Sequence, residues 1–172
     1  MNELSAKELA EILDQLPAED YETAARLCEK LAAGGPAVIK QLVDMVGDEF
    51  GDPKGVRPKY ALHGLVGYAS RPGADTQRKL LAETLAGELS AEHSDELKAF
   101  IVRQLQLCGS EDEVPRLAEL LASDRLCNPA TQALLAIGGD RALKALREAA
   151  PKATGSRKVA IGQAVDLLTR KQ

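Results

Sequence analysis

Aromatic side chains are nearly missing from this chain: its 172 residues include no Trp, three Tyr and two Phe. β-branched apolar residues are also scarce, with Val and Ile together numbering 14. Sheet interiors draw on those residue types, so neither an all-β nor a doubly wound α/β fold is expected. No window approaches the roughly 20 consecutive apolar residues of a spanning helix, so no membrane segment is expected. The opening residues, MNELSAKELAEIL, are acidic and polar, so no signal peptide is expected either.

The chemistry-bearing residues are equally sparse. The three cysteines, Cys28, Cys108 and Cys127, form no CxxC pair, and the two histidines, His63 and His93, lack metal-type spacing. Each cysteine lies within or beside an apolar helical pattern, where a free thiol acts as a small buried hydrophobe. Free thiols suit a reducing compartment, and the expected location is cytoplasmic. No GxSxG, HExxH, P-loop or dinucleotide fingerprint occurs. Asp20, Glu22, Asp95 and Glu96 fit helix N-termini, where they complement the dipole. The expectation is a non-enzyme with no catalytic residue, cofactor or metal.

Net charge is −4, unevenly spread. Residues 1–50 hold four Lys/Arg against eleven Asp/Glu, whereas residues 51–172 carry a balance of +3. Lys54, Arg57, Lys59, Arg71, Arg78 and Lys79 form a local basic cluster, read as a solvated surface. The acidic total and the lack of aromatic stacking platforms argue against a nucleic-acid partner.

What the chain does have is Ala (27) and Leu (26), strong helix formers arranged with helical periodicity. In SEDEVPRLAELLASD (110–124), Val114, Leu117, Leu120 and Leu121 make one helical stripe. Ser110 and Glu113 read as a capping box, and Pro115 lies in the first turns where it is tolerated. In NPATQALLAIGG, Ala130, Ala133, Leu134 and Ile137 share a face, and Gly138-Gly139 is a stop signal. Such blocks come in pairs: 5–15 with 18–33, 36–46 with 57–70, 74–89 with 94–108, 112–122 with 128–137, and 140–150 with 155–170. The intervals run from about 29 to 39 residues, inside the solenoid range. An all-α fold of ten helices in five antiparallel hairpins is therefore expected, ahead of a four-helix bundle. Gly64 and Gly67, inside a helical pattern, are read as permitting close helix packing.

The stretch CGSEDEVPRLAELLASDRLCNPATQALLAIGGDRALKALREAAPKA resembles HEAT repeats, notably the short HEAT-like repeats of phycobilin lyases. The resemblance lies in a Gly-ended helix, an acidic turn, a Leu-rich first helix and an Ala-rich second one. It is clearest over 109–170, extends over 34–108 and is loose over 1–33. The Arg that opens the second helix of that pattern has counterparts here only at Arg57 and Arg157. The resemblance implies an armadillo-like α-solenoid: one domain over 1–172, with 1–33 as a capping helix pair and about four repeats over 34–172. It also implies that second helices line the concave face.

Aligning the second helices on their terminal glycines puts Leu65, Leu105, Leu134 and Val165 at one core position. Two residues earlier stand His63, Arg103, Gln132 and Gln163, with Glu29 at the matching place in the first pair. At about 100° per residue this column lies about 200° from the core and should face solvent. The longest interruption, residues 47–60, leads into Arg57, Lys59, Tyr60 and His63, with Tyr60 expected to pack in the core and His63 in solvent. Phe50, Tyr60 and Tyr68 concentrate aromatic anchors there. The expected function is a non-catalytic scaffold, a monomer that binds a protein or peptide partner. Its candidate contact residues are Glu29, Arg57, Lys59, Tyr60, His63, Arg103, Gln132 and Gln163. Two alternatives stand beside it: a tetrapyrrole (bilin) lyase-like or accessory protein, with Cys28, Cys108, Tyr60 and His63 to consider, and a nucleic-acid-binding HEAT-like protein.

Overall fold

Local capping chemistry opens several of the helices. In the computed structural model, which describes residues 4–48 and 51–170, Ser5 closes a full capping box at the start of α1 (Ala6–Asp14). Its backbone N–H donates to Glu8 Oε2 at 2.9 Å, and the Glu8 N–H donates back to Ser5 Oγ at 3.3 Å. Asp20 caps α2 (Tyr21–Ala33) by accepting the Thr23 N–H at 2.7 Å, and this bond holds its carboxyl below the usual range. Ser94 caps α6 (Asp95–Cys108) through the Leu97 N–H. Between them lie α3 (Gly35–Val46), α4 (Val56–Ala69) and α5 (Asp75–Glu88). After α6 come α7 (Val114–Glu119), α8 (Cys127–Ile137), α9 (Gly139–Ala149) and α10 (Gly155–Thr169). Ten helices and no strand are present among the described residues, so the expected all-α class and all ten helical blocks are found.

The largest departure from the expected boundaries is α7. Ser110 and Glu113 do bond, with the Ser110 N–H and Oγ–H donating to Glu113 Oε2 at 2.7 and 3.0 Å. The Ser110 hydroxyl, however, accepts from Asp112 rather than from Glu113, so residues 111–113 form a turn and the helix starts later, at Val114. At its other end Leu120–Ala122 tightens into a 3₁₀ turn.

Two compact units make up the chain, Met1–Leu85 and Ala86–Gln172, the division falling inside α5. In the first unit α4 packs on α1, α2 and α3. Its buried stripe is Pro58, Ala61, Leu62, Leu65, Val66 and Ala69. Gly64 allows the close approach to α2, since a Cβ there would stand 3.2 Å from Cys28 Sγ. Gly67 does not serve that purpose: it is exposed, with nothing within 4 Å of a built Cβ.

In the second unit α8 is the centre. It packs against α6, α7, α9 and α10, while α7 also packs on α9, and α9 on α10. The small residues of α8 permit this crowding: Ala130, Thr131 and Ala133 are completely buried, with Leu134 beside them. Gly138 ends α8 with φ +70°, and Gly139 follows at φ +74°, beneath the Glu111 carboxylate. Both φ values lie in the left-handed region that only glycine enters without strain. A Cβ on Gly139 would also come within 2.3 Å of Glu111 Oε1.

Candidate functional site

The α8 helix has one open side. With four helix neighbours, it exposes the stripe Asn128, Gln132 and Ala136 at i, i+4 and i+8, opposite the buried Ala130 and Leu134. On α6 the side opposite Ile101 and Leu105 exposes Arg103, and on α10 the outer side exposes Gln163. The α6 and α10 helices flank α8, so Arg103, Gln132 and Gln163 stand on three successive helices of one packed set. In the first unit Glu29 on α2 and His63 on α4 are likewise exposed, on helices that pack together.

The aligned core positions Leu65, Leu105 and Leu134 are buried. Val165 is only half-buried, because α10 closes the set and has α8 and α9 as its principal neighbours.

Tyr60 does not pack in the core. It is 50% exposed, since the buried stripe of α4 passes through Ala61 and Leu62 and leaves Val56, Tyr60, His63 and Gly67 on the outer side. Lys59 beside it is half-buried. Arg57 forms an exposed ion pair with Asp14 of α1. Tyr68 is half-buried, with the Arg71 guanidinium 3.5 Å from its ring centroid, and Phe50 lies outside the described residues. Along the start of α4 runs an apolar groove of about 790 Å³, lined by Leu13, Leu16, Met45, Val56 and Pro58, with Lys54 and Arg57 among its polar contributors.

Arginines of the second unit tie one helical pair to the one before. Arg125 Nη1 donates to Glu96 Oε1 at 3.0 Å, and Arg116 donates to the Ser90 hydroxyl. Arg141 lies 3.9 Å from both Glu111 and Asp112, whereas Arg147 bonds within its own pair, donating to Thr169 Oγ1 at 3.2 Å. Arg157 donates to the carbonyl of Ala122 and pairs with Asp124. Arg103, in the middle of the open stripe of α6, has no such partner among the described residues. Periodicity alone had not singled out two apolar neighbours of the polar column, Leu107 at 52% and Val159 at 59% exposure. They fall four residues after Arg103 and four before Gln163, which is the spacing that would have found them.

The thiols of Cys28, Cys108 and Cys127 are buried and in no disulfide, and burial pushes the Cys28 and Cys127 thiols up from the ordinary value. No group of three or more His, Cys, Asp or Glu among the described residues is placed to hold a metal ion. No helix among the described residues is long and apolar enough to cross a membrane. His93 is engaged with Glu88 at 3.2 Å, at the turn that leads into α6. No protein-family model matches the chain, and no curated protein matches it.

Proposed function

We propose that the chain is a HEAT-like array of helical hairpins that acts without catalysis, as a module binding a protein or peptide on the face of its second helices. One observation carries this reading: α8, enclosed by four helices, keeps open a single stripe through Gln132, and its neighbours α6 and α10 each expose the aligned polar residue, Arg103 and Gln163. The stripe holds neutral carboxamides where a merely solvated helix face commonly takes Lys and Glu. Packing of α6 on α8, α8 on α10 and α7 on α9 supports this reading, since a hairpin array stacks first helices on first and second on second. In the first unit, packing of α2 on α4 follows the same rule.

The other readings have less support. A tetrapyrrole lyase reading leans on reactive thiols, and all three cysteines are buried. A nucleic-acid reading leans on the basic cluster, in which Arg57 is paired with Asp14 and Arg71 is folded over Tyr68. The Arg57 pair leaves one fewer uncompensated charge for phosphates, whose neutralisation drives such binding.

Gln132→Glu tests the proposal. Affinity capture from the source cells, compared between wild type and this variant, should lose the same set of partners that Lys144→Glu retains. Lys144 is an exposed residue on α9, which lies outside the α6, α8 and α10 set. Equal recovery of partners by both variants, with unchanged helicity and melting, overturns the reading.

A further inference from the structure

We infer that the occupant of the α6, α8 and α10 face is an extended peptide segment bearing one acidic side chain, which seats on Arg103. The inference rests on the proposed binding role of that face and specifies its ligand. Seven arginines lie between residues 86 and 172, and five of them, Arg116, Arg125, Arg141, Arg147 and Arg157, bond or ion-pair with residues elsewhere in the unit, which leaves Arg103 and the terminal Arg170. Arg103 is exposed and unpartnered among the described residues, although it lies on the same stripe as Glu96. That carboxylate is committed to Arg125 at 3.0 Å, so it does not neutralise Arg103. A guanidinium is suited to bidentate capture of a carboxylate, and this one is open to receive it.

The rest of the face selects the conformation of the ligand. Gln132 and Gln163 each offer a carboxamide with both a donor and an acceptor, which matches a backbone peptide group. Only an extended chain presents such groups unpaired, since a helix uses them internally. Packed helices lie about 8–10 Å apart, and an extended chain advances about 3.3 Å per residue. Arg103, Gln132 and Gln163 therefore meet about every third residue of one strand crossing the three helices. Exposed Leu107 and Val159 give the intervening side chains apolar surface. Asp166, less than one turn beyond Gln163, repels a second acid at that end, so one acidic position is expected and not an acidic run.

The full chain panned against a phage-displayed library of random nine-residue peptides provides the test. Enriched sequences should share Asp or Glu at one fixed position and no charge three and six residues further on. A synthetic peptide of that consensus should lose about tenfold or more in affinity with Arg103→Glu, and similarly when its acid is replaced by the amide. Replacing the acid with Lys should restore binding to Arg103→Glu. Should that variant lose its helicity, Arg103→Gln gives the same reading without charge reversal. Enriched peptides with no shared acid, or a consensus peptide indifferent to both Arg103 variants, overturn the acidic-ligand inference. If those peptides still lose binding with Gln132→Glu, the face itself stands as a binding site. If nothing is enriched, or enriched peptides ignore Gln132→Glu as well, both readings fall together.

Discussion

Arg157, at the start of α10, reaches back to the end of the α7 segment, where its Nη1 donates to the carbonyl of Ala122 at 3.1 Å and its Nε lies 2.8 Å from Asp124 Oδ1. The two ends of this contact are unequal: the arginine side chain is 20% exposed, and the aspartate 90%. The carbonyl bond, not the ion pair, is therefore the stabilising part, because exposed ion pairs contribute little. Arg157→Ala should lower stability by about 1 kcal/mol, and Asp124→Asn by less than about half of that. Urea denaturation of both variants checks the order; a larger loss from Asp124→Asn would reverse it.

Leu134 and Val165 occupy equivalent places in α8 and α10, with opposite consequences. Leu134 is completely buried between four helices, whereas Val165 is half-buried on the last one. Leu134→Ala should cost about 2–5 kcal/mol through lost burial and the cavity left behind. Val165→Ala should cost about 1 kcal/mol or less. Chemical denaturation of the two variants measures the difference directly.

The thiols of Cys28 and Cys127 are raised by burial, so the folded state holds their protons more tightly than the unfolded state does. Their contribution is complete below the ordinary thiol value of 9.0 and is lost as pH rises through the higher folded values. Stability should fall in alkali, and Cys28→Ala should flatten that fall relative to its own neutral value. Native protein should also react with a thiol reagent far more slowly than protein unfolded in urea.

Asp20 shows the opposite sign. Its carboxyl is held low by the Thr23 N–H, so the cap stabilises above the ordinary carboxylate value and weakens as pH falls through the folded one. Asp20→Ala should be less stable than wild type near neutrality, with the difference vanishing at about pH 2. Thermal melts at the two pH values test this.

The helices were legible in the sequence because Gly, Pro and capping residues punctuate them and because Ala and Leu repeat with helical period. Buried stripes followed from the same arithmetic, as Leu105 and Leu134 show. Tyr60 was misplaced because aromatic bulk suggests burial, whereas its phase on α4 puts it opposite Leu62 and outside the buried stripe. Gly67 was misread for a related reason: a helical glycine signals close packing only when a neighbour is there, and none approaches. The polar column was visible from alignment, but the isolation of Arg103 was not. That property depends on what Glu96 does with Arg125, which lies outside any single helix pattern.

The close neighbours of α8 carry a kinetic consequence. In residues 86–172 every principal packing partner is at most two helices away in the chain. Closing such short loops costs little chain entropy, and local contacts of this kind place a domain at the fast end of the folding-rate range. Folding of that unit should not wait on the chain's distant end, so nascent α6, α7 and α8 can begin to assemble before α10 has left the ribosome.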